Sequence, residues 1–255
     1  MELSIIIPAY NEEKRITKTL DSYISFFNKK IDFEIFIVLN GCRDNTLDIV
    51  KDYAKKYKLI KYINIAEAIG KGGAVIEGFK RVNGNLIGFV DADMSTPPRS
   101  FFDLYKKING NDGIIASRWT KGSKILVKQK ISRRIASRVF NYLVRLFFSI
   151  DLRDTQCGAK LFKRKAIKDA VNDLGITKWA WDIDLLYIMK RKGYKVIEIP
   201  TVWDDKTGSQ LKLGRTVPEM FLSILRLRLI YSKFKFLIDI YDKLPESLKV
   251  HHKLK

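Results

Sequence analysis

The sequence predicts an α/β protein on a doubly wound, mixed sheet, and three observations carry that prediction. Through the first 90 residues, short apolar runs alternate with stretches of helical periodicity. Each run gives way to turn chemistry (Asn, Gly or Pro) rather than to a second run, which is the tempo of strand, helix, strand in a parallel sheet. Finally, two carboxylates, Asp91 and Asp93, follow the apolar run 86–90, at the carboxyl end of a strand, where open α/β sheets bind ligands.

Residues 3–8 form the first buried strand, and Ala9-Tyr10-Asn11-Glu12-Glu13 leads into a helix. Asn11 is its expected N-cap, Glu12 and Glu13 lie in its first turn, and Ile16, Leu20, Tyr23, Ile24 and Phe27 form its apolar stripe. A second strand spans 33–38, Gly41 makes the turn, and Asp44 caps a helix carrying Leu47, Ile49, Val50 and Tyr53. A third strand spans 59–65, followed by the loop Gly70-Lys71-Gly72-Gly73 and a helix with Val75, Ile76 and Phe79. The fourth strand is 86–90, and Pro97-Pro98 prevents it from continuing.

The second half is less regular. Strands are expected at 113–117 and 158–162, a helix at 181–191, and a last strand at 194–199 ended by Pro200. From 121 to 145 the chain carries Lys121, Lys124, Lys128, Lys130, Arg133, Arg134, Arg138 and Arg145 and no acidic residue. Ile131, Ile135, Val139, Tyr142, Leu143, Leu146 and Phe147 recur among them at steps of three and four, which predicts a basic amphipathic helix. Thr207-Gly208-Ser209 reads as a loop leaving the core. Beyond Pro218, Arg226, Arg228, Lys233 and Lys235 interrupt an apolar segment, a design suited to lying in a membrane interface rather than crossing it. The expected organisation is a catalytic domain over 1–210 and a basic amphipathic segment over 211–255.

The 255 residues carry 48 Lys and Arg against 28 Asp and Glu, a net charge of +20 that calls for an anionic partner: nucleic acid, a phosphate-rich substrate or an anionic membrane surface. No nucleic-acid motif with aromatic platforms accompanies the charge, which sets nucleic acid aside. Cys42 and Cys157 stand far apart, and the two histidines, His251 and His252, are terminal, so neither a disulfide framework nor a zinc site is expected. This suits a reducing cytosol, and no run is long and apolar enough for a transmembrane helix. Asp91 and Asp93 offer hard oxygen ligands for Mg2+ or Mn2+, with a substrate diphosphate to complete the shell.

Ile7-Pro8-Ala9-Tyr10-Asn11-Glu12, the turn after the second strand, Gly70-Lys71-Gly72 and Asp91-Ala92-Asp93 together resemble, in that order, family-2 glycosyltransferases. Asp154-Thr155-Gln156-Cys157-Gly158-Ala159-Lys160-Leu161-Phe162 and Trp181-Asp182-Ile183-Asp184-Leu185-Leu186 are similar to the dolichyl-phosphate glucose synthase branch, whose layout the mannose synthases share. The resemblance covers about residues 3 to 210. It implies a GT-A fold, a nucleotide-sugar donor, a divalent metal and inversion at the anomeric carbon. By the same resemblance Pro8, Tyr10 and Glu12 belong to the nucleoside pocket, where the amide of Asn40 can still read a pyrimidine edge, and Lys71 lies near the donor phosphates. Asp91 and Asp93 match the metal-binding pair, Arg118 the basic residue of a Gly-Ser-Arg motif, and Asp154 and Gln156 polar positions lining the sugar and acceptor site.

Two departures stand out. Val38-Leu39-Asn40-Gly41-Cys42 replaces a usual pattern with two aspartates, so an amide that both donates and accepts stands where an acceptor is usual. Ala159 replaces a usual Phe. The reaction so implied moves a hexose from a nucleotide sugar, UDP-glucose favoured and GDP-mannose possible, to a dolichyl or polyprenyl phosphate at the cytoplasmic face of a membrane. N-acetylglucosamine and mannose are alternative sugars, and a soluble glycan-modifying transferase is an alternative reading. A phosphate acceptor is already anionic and needs no strong base, whereas a hydroxyl acceptor needs one, for which Asp154, Asp182 and Asp184 are available. These aspartates have a structural alternative, above all Asp182 and Asp184 as stabilisers of a helix start.

Overall fold

The computed structural model describes residues 1–127, 131–175, 180–204, 213–236, 238 and 240, and of 133 and 213–217 the backbone alone. The elements are β1 (Leu3–Ala9), α1 (Ile16–Phe27), β2 (Phe33–Asn40), α2 (Thr46–Lys56), β3 (Ile60–Ile65), α3 (Gly70–Arg81), β4 (Leu86–Val90), α4 (Pro98–Lys107) and β5 (Gly113–Ser117). They continue with β6 (Lys124–Ile125), α5 (Ile131–Phe148), β7 (Ala159–Lys163), α6 (Arg164–Ala170), α7 (Trp181–Arg191), β8 (Val196–Pro200), β9 (Val202–Trp203) and α8 (Leu213–Ile230). Seven strands form one sheet in the order β3-β2-β1-β4-β7-β5-β8, and β6 pairs with β9 outside it. Neighbours from β3 to β4 run parallel, β7 runs antiparallel to both β4 and β5, and β8 is parallel to β5. This is the mixed α/β sheet the sequence predicts.

Alternation along the strands divides the core into two layers. Leu3, Ile5 and Ile7 of β1 face Leu20 and Phe27 of α1 and Phe101 and Leu104 of α4. Ile6, between them, belongs to the opposite layer with Phe79 of α3, Phe89 of β4, Phe148 of α5 and Trp181 of α7. Helices therefore cover both faces, which is why β2 is buried from end to end and reads as a continuous apolar run. Its one charge, Glu34, is buried against the Ser4 hydroxyl at 2.6 Å and Lys61 Nζ at 2.8 Å.

Several local expectations are corrected. Helix α1 begins at Ile16, not beside Asn11. Asn11 sits at φ 53°, and its Oδ1 accepts from the Arg43 N–H at 2.8 Å, tying two loops together instead of capping a helix. Asp44 does stabilise the start of α2, but from two residues ahead, through the Thr46 N–H and hydroxyl. Gly70 to Gly73 form the first turn of α3 rather than a loop. The basic helix begins only at Ile131, because Lys124–Ile125 is drawn off into the small strand pair with β9. Pro200 belongs to β8, opposite Ser117, and α8 starts ahead of Pro218 and contains it. Thr207 to Ser209, the boundary at 210, Trp179, Lys128, Lys130, the histidines and the side chain of Arg133 lie outside the described residues. Ile224 and Leu227 of α8 are buried in the same layer as Trp181 and Phe148. Among the described residues no helix is long and apolar enough to cross a membrane.

Candidate active site

The chain leaves β1 toward β2 and β3 on one side and returns with β4 on the other, so the strand order reverses between β1 and β4. Such a switch point opens a crevice at the carboxyl ends of the strands. Here it is a cleft of about 390 Å³ lined by Pro8, Ala9, Tyr10 and Glu12 after β1, Asn40 at the end of β2, Ala68, Gly70 and Lys71 at the start of α3, and Asp91, Ala92 and Asp93 after β4. Seven residues singled out from the sequence (Pro8, Tyr10, Glu12, Asn40, Lys71, Asp91 and Asp93) thus meet in one place. Gly70, at φ 79°, permits the sharp entry into α3 that delivers the helix N-terminus to the cleft wall, a favourable place for an anion.

The acidic turn is fixed from outside the cleft. The Thr19 hydroxyl donates to the Ala92 carbonyl at 2.7 Å and the Tyr23 hydroxyl to the Thr96 carbonyl at 2.9 Å, both from α1. Asp93 Oδ1 accepts from the Ser95 N–H at 2.9 Å, and Met94 between them holds φ 65°, a conformation costly for a side-chain-bearing residue and maintained by these ties. Lys71 Nζ forms an ion pair with Asp91 Oδ1. Burial opposes the Lys71 ammonium, but Asp91, Asp182 and Asp93 outweigh it and hold its pKa above the ordinary lysine value. A Cβ on Gly158 would fall 2.0 Å from Asp91 Oδ2, so the backbone leading into β7 lies directly against this carboxylate.

Glu12 Oε2 accepts from Arg15 Nε at 2.7 Å. Burial pushes its pKa up to about 7 against the pull of Arg15, with Asp93 and Asp91 adding to the rise. Asn40 Oδ1 accepts from the Ile69 N–H at 2.7 Å, so the acceptor half of this amide is spent on the start of α3 and its NH2 is the half left for a ligand.

Arg118, Asp154 and Gln156 do not line the cleft. Asp154 is fully buried and locked to Arg118, with Nε to Oδ2 and Nη2 to Oδ1 both at 2.8 Å and the Arg118 N–H also on Oδ2 at 2.8 Å. The Arg118 guanidinium lies 5.1 Å from the Trp203 ring and 5.8 Å from that of Trp119. Nε1 of both these indoles, and Oγ1 of Thr96 and Thr120, are buried polar atoms without a hydrogen-bond partner among the described residues. Gln156 is half-buried in the turn between Asp154 and β7.

Sequence reasoning did not single out Lys160. Its ammonium is fully buried on β7, opposite Phe89, and donates to the Cys157 carbonyl at 2.7 Å and to Asp182 Oδ1 at 2.5 Å. Burial raises the Asp182 pKa while Lys160 and Lys71 pull it down, so Asp182 links the buried lysine electrostatically to the lysine of the cleft. A lysine in the middle of the apolar run 159–162 is the signal that would have found it. Asp184 accepts from the Gly175 N–H at 3.0 Å and the Tyr231 hydroxyl at 2.6 Å, and Trp181 is core. Burial drives the Cys157 thiol up to about 12, which leaves it inert.

Asp91 and Asp93 stand together after β4 and Glu12 lines the same cleft, but among the described residues no three His, Cys, Asp or Glu are placed to hold one ion together. That donor set fits Mg2+ or Mn2+, which complete their shells with substrate oxygens and water.

Known proteins agree with this architecture. The model of glycosyl transferase family 2 matches residues 4–170. The dolichyl-phosphate beta-glucosyltransferase ALG5A of Trichomonas vaginalis is 34% identical over 223 residues, covering 83% of this chain and 68% of its own. The human dolichyl-phosphate beta-glucosyltransferase is 32% identical over 249 residues, 90% of this chain and 76% of its own. Glycosyltransferase AglD of Haloferax volcanii is 31% identical over 231 residues, and there the match spans 89% of this chain but only 37% of AglD. Among solved structures, glucosyl-3-phosphoglycerate synthase of Mycobacterium tuberculosis with Mn2+, UDP and phosphoglyceric acid superposes with a TM-score of 0.66 at 16% identity, covering 91% of this chain and 80% of that one. The fold is GT-A, and the chain belongs to glycosyl transferase family 2.

Proposed function

We propose that the protein transfers glucose from UDP-glucose to a polyprenyl or dolichyl phosphate, with inversion at the anomeric carbon. One observation carries this reading: the three aspartates available in the sequence as a base are sealed. Asp154 is 0%, Asp182 6% and Asp184 1% exposed, each held by the partners described above. A hydroxyl acceptor would need such a base. A phosphate monoester, with a second pKa of about 6, brings an oxygen that is already negative. The names of the curated relatives support the same acceptor and sugar.

In this reading the nucleoside lies along Pro8, Tyr10 and Glu12 and meets the NH2 of Asn40. Asp91 and Asp93 would hold the divalent ion, which when bound neutralises the departing diphosphate. Lys71, whose partner Asp91 is then shared, turns to the diphosphate oxygens. The acceptor oxygen forms its bond to the anomeric carbon as the bond from that carbon to the diphosphate breaks, and UDP leaves. The corner around Arg118, with its unpartnered indole N–H groups and hydroxyls, is the place for the acceptor phosphate.

The test is incubation with membrane polyprenyl phosphate, Mg2+ or Mn2+ and a panel of UDP- and GDP-sugars, followed by mass spectrometry of the lipid fraction. A lipid-phosphate hexose formed from UDP-glucose is expected. Transfer from another sugar nucleotide would replace the donor assignment, and transfer to a soluble glycan without lipid phosphate would overturn the acceptor assignment.

A further inference from the structure

Helix α5 buries Phe140, Val144 and Phe148 against the core and turns a second apolar row outward. Ile131, Ile135, Val139, Tyr142 and Leu146 are each between 53% and 71% exposed. At 3.6 residues per turn these five fall within about 80° of one another, roughly opposite the buried row. Five large apolar side chains in a line on one helix form a patch that a solvated surface does not explain. Beside that row, on one flank, run Arg134, Arg138 and Arg145, and the helix contains no acidic residue. Asp151, just past the helix, lies 2.8 Å from Arg145 in an exposed pair of little strength. The Arg138 guanidinium lies 5.3 Å from the Trp119 ring, beside the Arg118 corner.

We propose that the outer row of α5 is a docking surface for an anionic lipid monolayer, its apolar side chains entering the acyl boundary and its arginine flank meeting headgroup phosphates. The charge pattern selects this occupant. A second copy seated row to row would bring arginine flanks together if antiparallel and leave them facing no acid of either helix if parallel, whereas anionic headgroups complement them. Docking through α5 sets the Trp119–Arg118 corner next to the membrane, where a phosphate on a lipid chain arrives without leaving its bilayer. The proposal rests on the lipid-phosphate reading for its purpose, but docking can be measured with no sugar transfer at all.

The experiment is flotation of the full chain with phosphatidylcholine vesicles, with and without about 30% phosphatidylglycerol. Wild type should float with the anionic vesicles and much less with the neutral ones. Val139→Asp combined with Tyr142→Asp should lower anionic-vesicle binding by about tenfold or more, and Arg134→Glu by a smaller factor. Circular dichroism melting and calorimetric titration with UDP and Mn2+ should be unchanged in both. Equal flotation of the double variant overturns the proposal. So does a wild-type dimer that the double variant dissociates while vesicle binding persists, because the row then belongs to a second copy. Transfer to a short, water-soluble polyprenyl phosphate separates the two claims: if both proteins transfer and only wild type floats, both stand, and if wild type floats but transfers nothing to any lipid phosphate, docking stands and the acceptor reading fails.

Discussion

Asp91 and Asp154 are both aspartates at the edge of the sheet, each with a basic partner, and they are built for opposite purposes. The Lys71–Asp91 pair has side chains 43% and 24% exposed and is joined through one carboxylate oxygen. The Arg118–Asp154 pair is 12% and 0% exposed, joined at both oxygens and reinforced by a backbone N–H. An exposed single contact exchanges readily with water or an incoming cation, whereas a buried bidentate pair does not. On the proposed reading, the difference separates a carboxylate that handles ligands from one that holds the wall beside them. On the same reading it argues against Asp154 as a base.

The comparison can be broken at either end. Asp91→Asn should cut metal-dependent transfer by about 10³-fold while the melting curve stays in place, read by initial rates and by loss of Mn2+-dependent UDP binding. If the rate survives, Asp91 is not the ligand-handling partner. Asp154→Asn should do the reverse, costing about 3 kcal/mol or more in urea unfolding because it removes the buried carboxylate charge that answers the Arg118 guanidinium. A variant of normal stability with a collapsed turnover number would restore Asp154 to direct chemistry.

Smaller changes sharpen the contrast. Gly158→Ala asks whether Asp91 must keep its position against β7: its new methyl group displaces the carboxylate, and transfer should fall by roughly 10²-fold with stability nearly unchanged. Glu12 gives a weaker, pH-dependent signal in the metal-free protein. Its proton is kept to about pH 7 in the folded chain but lost near pH 4.5 in the unfolded one. The folded state therefore binds more protons across that window, and stability falls as pH rises through it. Glu12→Gln should flatten the fall, measured as urea midpoints at several pH values. A wild-type profile without a fall would place the Glu12 proton elsewhere.

The parallel half of the sheet and the donor cleft were legible in the sequence for a physical reason. Strands buried on both faces, such as β2, have little choice but to be apolar throughout, and the residues that follow them must turn, so Asn40 and Asp91 announce strand ends. The exact starts of α1 and α3 were not legible, because Asn11 and Gly70 serve the turn and the cleft rather than the helix. The other half hid more. Lys160 looks like a surface lysine until Asp182, 22 positions on, is brought beside it. The pairing of Arg118 with Asp154 likewise spans 36 positions, and no local pattern encodes it.

The reversed direction of β7 has a consequence for the order in which the enzyme becomes competent. β1 to β4 are complete by Val90, whereas β7, which meets β4 with Val90 opposite Ala159 and Leu86 opposite Lys163, lies far down the chain. During synthesis it becomes available only after those four strands. Until that strand slots in, Asp91 lacks the backbone at Gly158 against which it rests. A nascent chain can therefore hold its first four strands while the Asp91 corner is still open on one side, and that corner closes only once β7 has been laid between β4 and β5.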